Sequence, residues 1–115
     1  MTTPVHPTNY EAAVERLHAD LTPETLAEIS AVYAFHFEDG TSATLDGRGP
    51  DAAGYIEEAP EARGLSADFE VTLSREDFAA LVFGELHPMA GMATGRMRLK
   101  GSIKQAIKLD RLLKR

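Results

Sequence analysis

Apolar positions change period repeatedly along the 115 residues, and each change marks an element. Tyr10, Ala13, Val14, Leu17 and Leu21 recur at helical spacing behind Thr8 and Glu11, a capping-box pair. Thr22-Pro23 starts a short second helix, with proline at its first position and Leu26 and Ile29 turned inward. Val32 to Glu38 is built of strand formers, Asp39-Gly40 is a hairpin turn, and Thr41 to Leu45 returns. Gly47 to Pro50 is a loop, Ala53 to Glu57 a third strand, and Ala59 to Gly64 another loop. Ala67, Phe69, Val71 and Leu73 then alternate with Asp68, Glu70 and Thr72, the pattern of a strand with one buried and one wet face. Ser74 caps a helix, with Asp77 completing a box-like arrangement, Phe78, Leu81 and Val82 facing inward, and Gly84 placed to end it.

Pro88 opens a helical turn bearing Met89 and Met92, which Gly95 closes. Arg96 to Lys100 alternates basic and apolar residues, as a half-buried strand does, and Gly101-Ser102 turns into the final helix. On that helix Ile103, Ala106, Ile107, Leu109 and Leu113 share one arc, and Lys104, Lys108, Arg111 and Arg115 another. The pattern predicts one α+β domain over residues 1–115, its first seven residues polar and frayed. Helices at both ends cover a mostly antiparallel sheet of about five strands.

Composition agrees with one core: 43% of residues are hydrophobic and 26% charged. With no cysteine the chain has no disulfide, thiol nucleophile or cysteine metal site, which is compatible with a reducing compartment. The longest apolar run, Phe78 to Phe83, is far shorter than a bilayer span. Met1-Thr2-Thr3-Pro4 carries neither a basic region nor an apolar one, so a cytoplasmic location is the expectation.

Charge is segregated. Residues 96–115 hold eight Lys or Arg against Asp110 alone, leaving a net −13 on the first 95 residues and −6 on the whole. Such a basic end can meet phosphate headgroups or nucleic acid, or pair with the acidic remainder of its own domain. Nucleic acid is disfavoured, because no aromatic residue lies between 96 and 115 to stack on a base. Arg96 and Arg98 are placed to pair with Asp68 and Glu70 if their strands are neighbours.

Catalytic constellations are missing from the pattern. His6, His18, His36 and His87 stand at no metal-ligand spacing, and Ser74 and Ser102 read as helix caps with no G-x-S-x-G elbow around them. Gly47-Arg48-Gly49 is too short for a phosphate-cradling loop, and adjacent Glu57 and Glu58 point to opposite faces of a strand. Asp110, near the apolar arc of the last helix, is within reach of Lys114. No enzyme activity, metal or cofactor is expected.

What the chain does have is an apolar excess after Ser74. Val82, Phe83, Leu86, Met89, Met92, Met97, Leu99, Ile103 and Ile107 either pack as ordinary core or line a cavity for a greasy ligand, a use that suits pliant methionine. The ordered segments ADFEVTL, SREDFAALVFGEL, HPMAGMATG and RMRLKGSIKQAIKL resemble the sterol carrier protein type 2 family of lipid-binding domains. The marks are Gly84-Glu85-Leu86, the strand between Gly95 and Gly101, and Lys108-Leu109. The hairpin from Tyr33 to Leu45 resembles the family's first two strands, and the likeness covers Val32 to Leu113.

The resemblance implies a hydrophobic tunnel between sheet and helices that holds one lipid: a fatty acid, acyl-CoA, phospholipid, sterol or quinone-like molecule. It implies neither catalysis nor a metal, and under it the nine apolar residues line the tunnel while Lys104, Lys108, Arg111 and Arg115 face an anionic membrane. The chain departs from the family in two places. Its loop from Gly47 to Ala52 is short, and its last residues, Leu113-Lys114-Arg115, are not the peroxisomal tail many members carry. The competing expectation is a protein-interaction module that keeps the fold and fills the cavity with its own side chains.

Overall fold

Alternation along the strands, combined with helices of amphipathic period, requires a sheet with one face covered by helices. The structure, a computed structural model, describes residues 10–49 and 51–113. In chain order the elements are α1 (Tyr10–Asp20), α2 (Pro23–Ile29), β1 (Ala31–Phe37), β2 (Ser42–Gly47) and β3 (Gly54–Ile56). A 3-10 turn over Pro60–Arg63 leads to β4 (Phe69–Leu73), α3 (Arg75–Val82), α4 (Pro88–Ala93), β5 (Met97–Lys100) and α5 (Ile103–Leu113). The five strands lie in the order β3-β2-β1-β4-β5. Three of the four pairings are antiparallel. β1 and β4 run parallel, because the chain leaving β3 must cross back before it can reach the free edge of β1.

Local chemistry sets the helix starts. Thr22 Oγ1 accepts from the Thr25 amide at 3.3 Å, with Pro23 at the first helical position, and Ser74 Oγ accepts from the Asp77 amide at 3.0 Å. Asp77 does not complete the expected box. Its carboxylate instead takes the Arg96 guanidinium at 2.5 Å, pinning the start of α3 to the residue before β5. Thr8, and the polar residues 1–7 read as frayed, lie outside the described residues.

The covered face of the sheet carries Tyr33, Phe35, Phe37, Leu45, Phe69, Val71, Leu73 and Met97, all buried. Its β1–β2–β3 half is filled by rings. Phe78 of α3 lies 5.0 Å from Phe35, 5.7 Å from Phe37, 5.3 Å from Tyr55 and 5.6 Å from Tyr10, centroid to centroid. The Arg75 guanidinium sits 4.5 Å above both Tyr10 and Phe37 and donates to Asp39 and Thr41, tying α3 to the β1–β2 turn.

The opposite face is polar at β4 and β5 but buried at its centre, where Val32, Ala34, Thr44 and Asp46 have almost no exposed surface. His36 bonds Ser42 and Glu70 at 2.9 Å each, as a partnered residue rather than a ligand. The register sets Glu70 opposite Lys100 and Thr72 opposite Arg98, so the expected Arg96 and Arg98 pairs with Asp68 and Glu70 do not form. Glu70 meets Lys100 at 3.8 Å, Arg96 goes to Asp77, and Asp68 Oδ2 accepts the Val32 amide at 2.9 Å.

Candidate functional site

Open pockets of about 330 Å³ beside His18, Leu21, Leu26 and Tyr55 and about 260 Å³ beside Asp46, Arg48 and Leu65 flank the β2–β3 end, and a much smaller one lies in the β4–β5 half, against α4 and α5. In the β4–β5 half, Phe69, Met92, Leu99, Gly101, Ser102 and Ala106 line this half-open void of about 30 Å³. That is space for about one water, against roughly 300–1,000 Å³ for a typical ligand pocket. Two glycines let the backbone come this close. A Cβ on Gly91 would lie 2.7 Å from Met97 Cε, and one on Gly101, whose φ is +138°, would overlap the Phe69 ring.

The nine apolar residues named from the sequence do not form one lining. Val82, Leu86 and Met97 are buried core. Phe83 ends α3, half-buried, with the Arg16 guanidinium 5.3 Å above its ring. Met92 and Leu99 border the void. Met89 and Met92 are each 39% exposed. Ile107 is 44% exposed and turns away from the core, because Ala106 and Leu109 supply the buried stripe of α5 and Ile107 falls off it. The arc that placed Ile107 inward is therefore corrected. Of Ile103 only its place at the start of α5 is described.

On the outer face of α5, Lys104, Lys108 and Arg111 surround Ile107 in an open groove of about 540 Å³. Arg115 and Lys114 lie outside the described residues, and Asp110 pairs with His87, the residue before α4, Oδ2 to Nε2 at 3.4 Å. His87 also caps α4, Nδ1 accepting the Met89 amide at 3.1 Å, so this one imidazole links α4 to α5.

Sequence reasoning read Phe69 only as a strand residue, although it forms a wall of the void, and it missed the polar contact behind that wall. The Tyr33 hydroxyl, from a residue with no exposed surface, donates to Gln105 Oε1 of α5 at 2.8 Å. Burial first, and then the carboxylate of Asp68, push that hydroxyl up to about 12. Tyr55 is raised further by burial and by its bond to Tyr10 at 2.8 Å, while Tyr10 donates to Glu57 Oε1 at 2.8 Å. These phenols are neutral structural donors. Among the described residues no group of three or more His, Asp or Glu side chains is placed to hold a metal ion, and no helix is long and apolar enough to cross a membrane.

Known proteins share this fold. A 95-residue stretch is 33% identical to the mouse peroxisomal multifunctional enzyme type 2, covering 79% of this chain and 12% of that one. The chain thus spans a small part of that enzyme. Sterol carrier protein 2 from Yarrowia lipolytica, in its apo form, superposes with a TM-score of 0.69 at 23% identity over 91% of this chain and 86% of that one. The sec-alkylsulfatase Pisa1 from a Pseudomonas species contains the same fold, with a TM-score of 0.61 at 18% identity over 84% of this chain and 15% of that one. At such identities the two structures show fold alone, and the sulfatase shows that the fold also occurs within an enzyme. The SCP-2 sterol transfer family model matches residues 11–114, nearly the whole length, and the chain belongs to that family.

Proposed function

We propose that this domain binds a lipid in the apolar layer between β4–β5 and α4–α5 and releases it again without changing it chemically. The observation that carries the reading is the match of residues 11–114 to the sterol transfer family, and the small half-open pocket lined by Phe69, Leu99, Met92 and Ala106 supports this corner as the point of entry. Admitting a chain requires α5 to lift, exposing Leu109 at a cost of roughly 1.5–3 kcal/mol. Ten methylenes taken out of water return on the order of 8 kcal/mol, less several kcal/mol for association. The few kcal/mol left correspond to roughly millimolar or weaker affinity for ten methylenes, weak enough for the lipid to leave.

The outer face of α5 supports delivery at a membrane. Lys104, Lys108 and Arg111 around exposed Ile107 combine positive charge with one apolar contact, a pairing suited to anionic headgroups. A second reading, a protein-interaction module with a self-filled interior, is favoured by the small size of the void.

Organic extraction of purified protein followed by mass spectrometry, with displacement of a fluorescent fatty acid, separates the two. The carrier reading expects a co-purifying lipid and saturable displacement. Neither being found would leave the interaction module.

A further inference from the structure

Tyr33 is buried from solvent, yet its hydroxyl is satisfied by a side chain on the element that must move. Its ring packs edge-on against Phe69, centroids 5.7 Å apart, and Phe69 is a wall of the void. Its hydroxyl has Gln105 Oε1 at 2.8 Å and the Gln105 carbonyl at 3.4 Å, both on α5. When α5 lifts, that buried donor loses both acceptors, and a buried donor left unpaired is strongly disfavoured. Gln105 is half-buried and can turn its amide to water, whereas Tyr33, fixed on β1 between β2 and β4, cannot.

We infer that the Tyr33 hydroxyl is the polar end of the lipid site and selects ligands carrying an uncharged oxygen acceptor, namely an alcohol, ester or ketone, that replaces Gln105. An ionised carboxylate is the wrong partner. The charge felt at this hydroxyl is that of Asp68, and a second anion would be buried beside it. Lys104 and Lys108, the cations nearest in sequence, lie in the groove on the outer face of α5.

The inference rests on the lipid-binding reading, and the test keeps the two apart. Hexadecanol, methyl palmitate, palmitate and hexadecane are titrated against a fluorescent probe in the wild type, Tyr33→Phe and Gln105→Leu, with each fold checked by circular dichroism. The wild type should bind hexadecanol and methyl palmitate about tenfold more tightly than hexadecane, the size expected for one orphaned hydroxyl. In Tyr33→Phe hexadecane should gain most of that factor, so the preference collapses. In Gln105→Leu the hydroxyl keeps only the longer bond to the backbone carbonyl before binding, so the preference persists and methyl palmitate binds more tightly than to the wild type. An unchanged preference in Tyr33→Phe, or palmitate as the tightest ligand, overturns the inference and leaves lipid binding intact. Failure of the wild type to bind any of the four overturns both.

Discussion

Single side chains give the core an aromatic half and a half packed with smaller residues. Phe78 meets four aromatic rings and has no exposed surface, whereas among the described side chains of α5 the buried ones are the small Ala106 and Leu109, with Gln105 accepting from the Tyr33 hydroxyl. The aromatic half is fastened at the β1–β2 turn by Asp39. Hydrogen bonds from the Thr41 hydroxyl and amide, with Arg75 adding to them, lower its carboxyl from 3.8 to about 2. A depressed folded value stabilises the fold above the ordinary carboxylate range, and that contribution is lost as pH falls through the folded value. Urea unfolding at pH 4 and again near pH 2 should therefore show a larger fall in stability for the wild type than for Asp39→Asn. Equal falls would mean the carboxylate is not held in this way. Asp39-Gly40 was legible as a turn, because the residue pair itself encodes it. The part played by Arg75, thirty-odd positions away, was not, since nothing local in sequence marks a cation over two rings.

At the scale of elements, period and caps carried most of the information. The β4 alternation, the Ser74 cap and the proline-led α2 and α4 lie where the pattern puts them, with ends moved by a residue or two. β3 is shorter than Ala53 to Glu57 and keeps only Gly54–Ile56. The site was less legible for a physical reason. A helical wheel ranks residues by hydrophobicity, but the buried side of α5 is chosen by what fits against Phe69 and β5, and small Ala106 fits where Ile107 does not. Gly101 belongs to the same corner. Its positive φ and the nearness of the Phe69 ring explain why the chain passes there without a side chain. The sequence signal available was therefore not the greasiest residues of this segment but its smallest, Gly91, Gly101 and Ala106. The strand-pair ion contacts failed for a related reason: register, which composition does not give, set Lys100 rather than Arg98 opposite Glu70.

For the molecule as a whole, the segregation of charge acquires a direction. α5 turns Lys104, Lys108 and Arg111 outward on the helix that borders the void, so a surface that attracts this face also pulls on the lid. Sedimentation with phosphatidylserine vesicles should be strong at low salt, fade as ionic strength rises and weaken in Lys104→Glu and Lys108→Glu, with phosphatidylcholine vesicles giving little. Salt-independent pelleting, or pelleting unaffected by the charge reversals, would move the membrane contact elsewhere. The central claim is that the layer under α5 opens to take a lipid, and methyl NMR reads it directly. On titrating hexadecanol into protein labelled at methionine and leucine methyls, the signals of Met92, Met97, Leu99 and Leu109 should shift saturably, while those of Leu45 and Leu73 stay in place. Shifts confined to the exposed Met89, or no shift at any methyl, would contradict it.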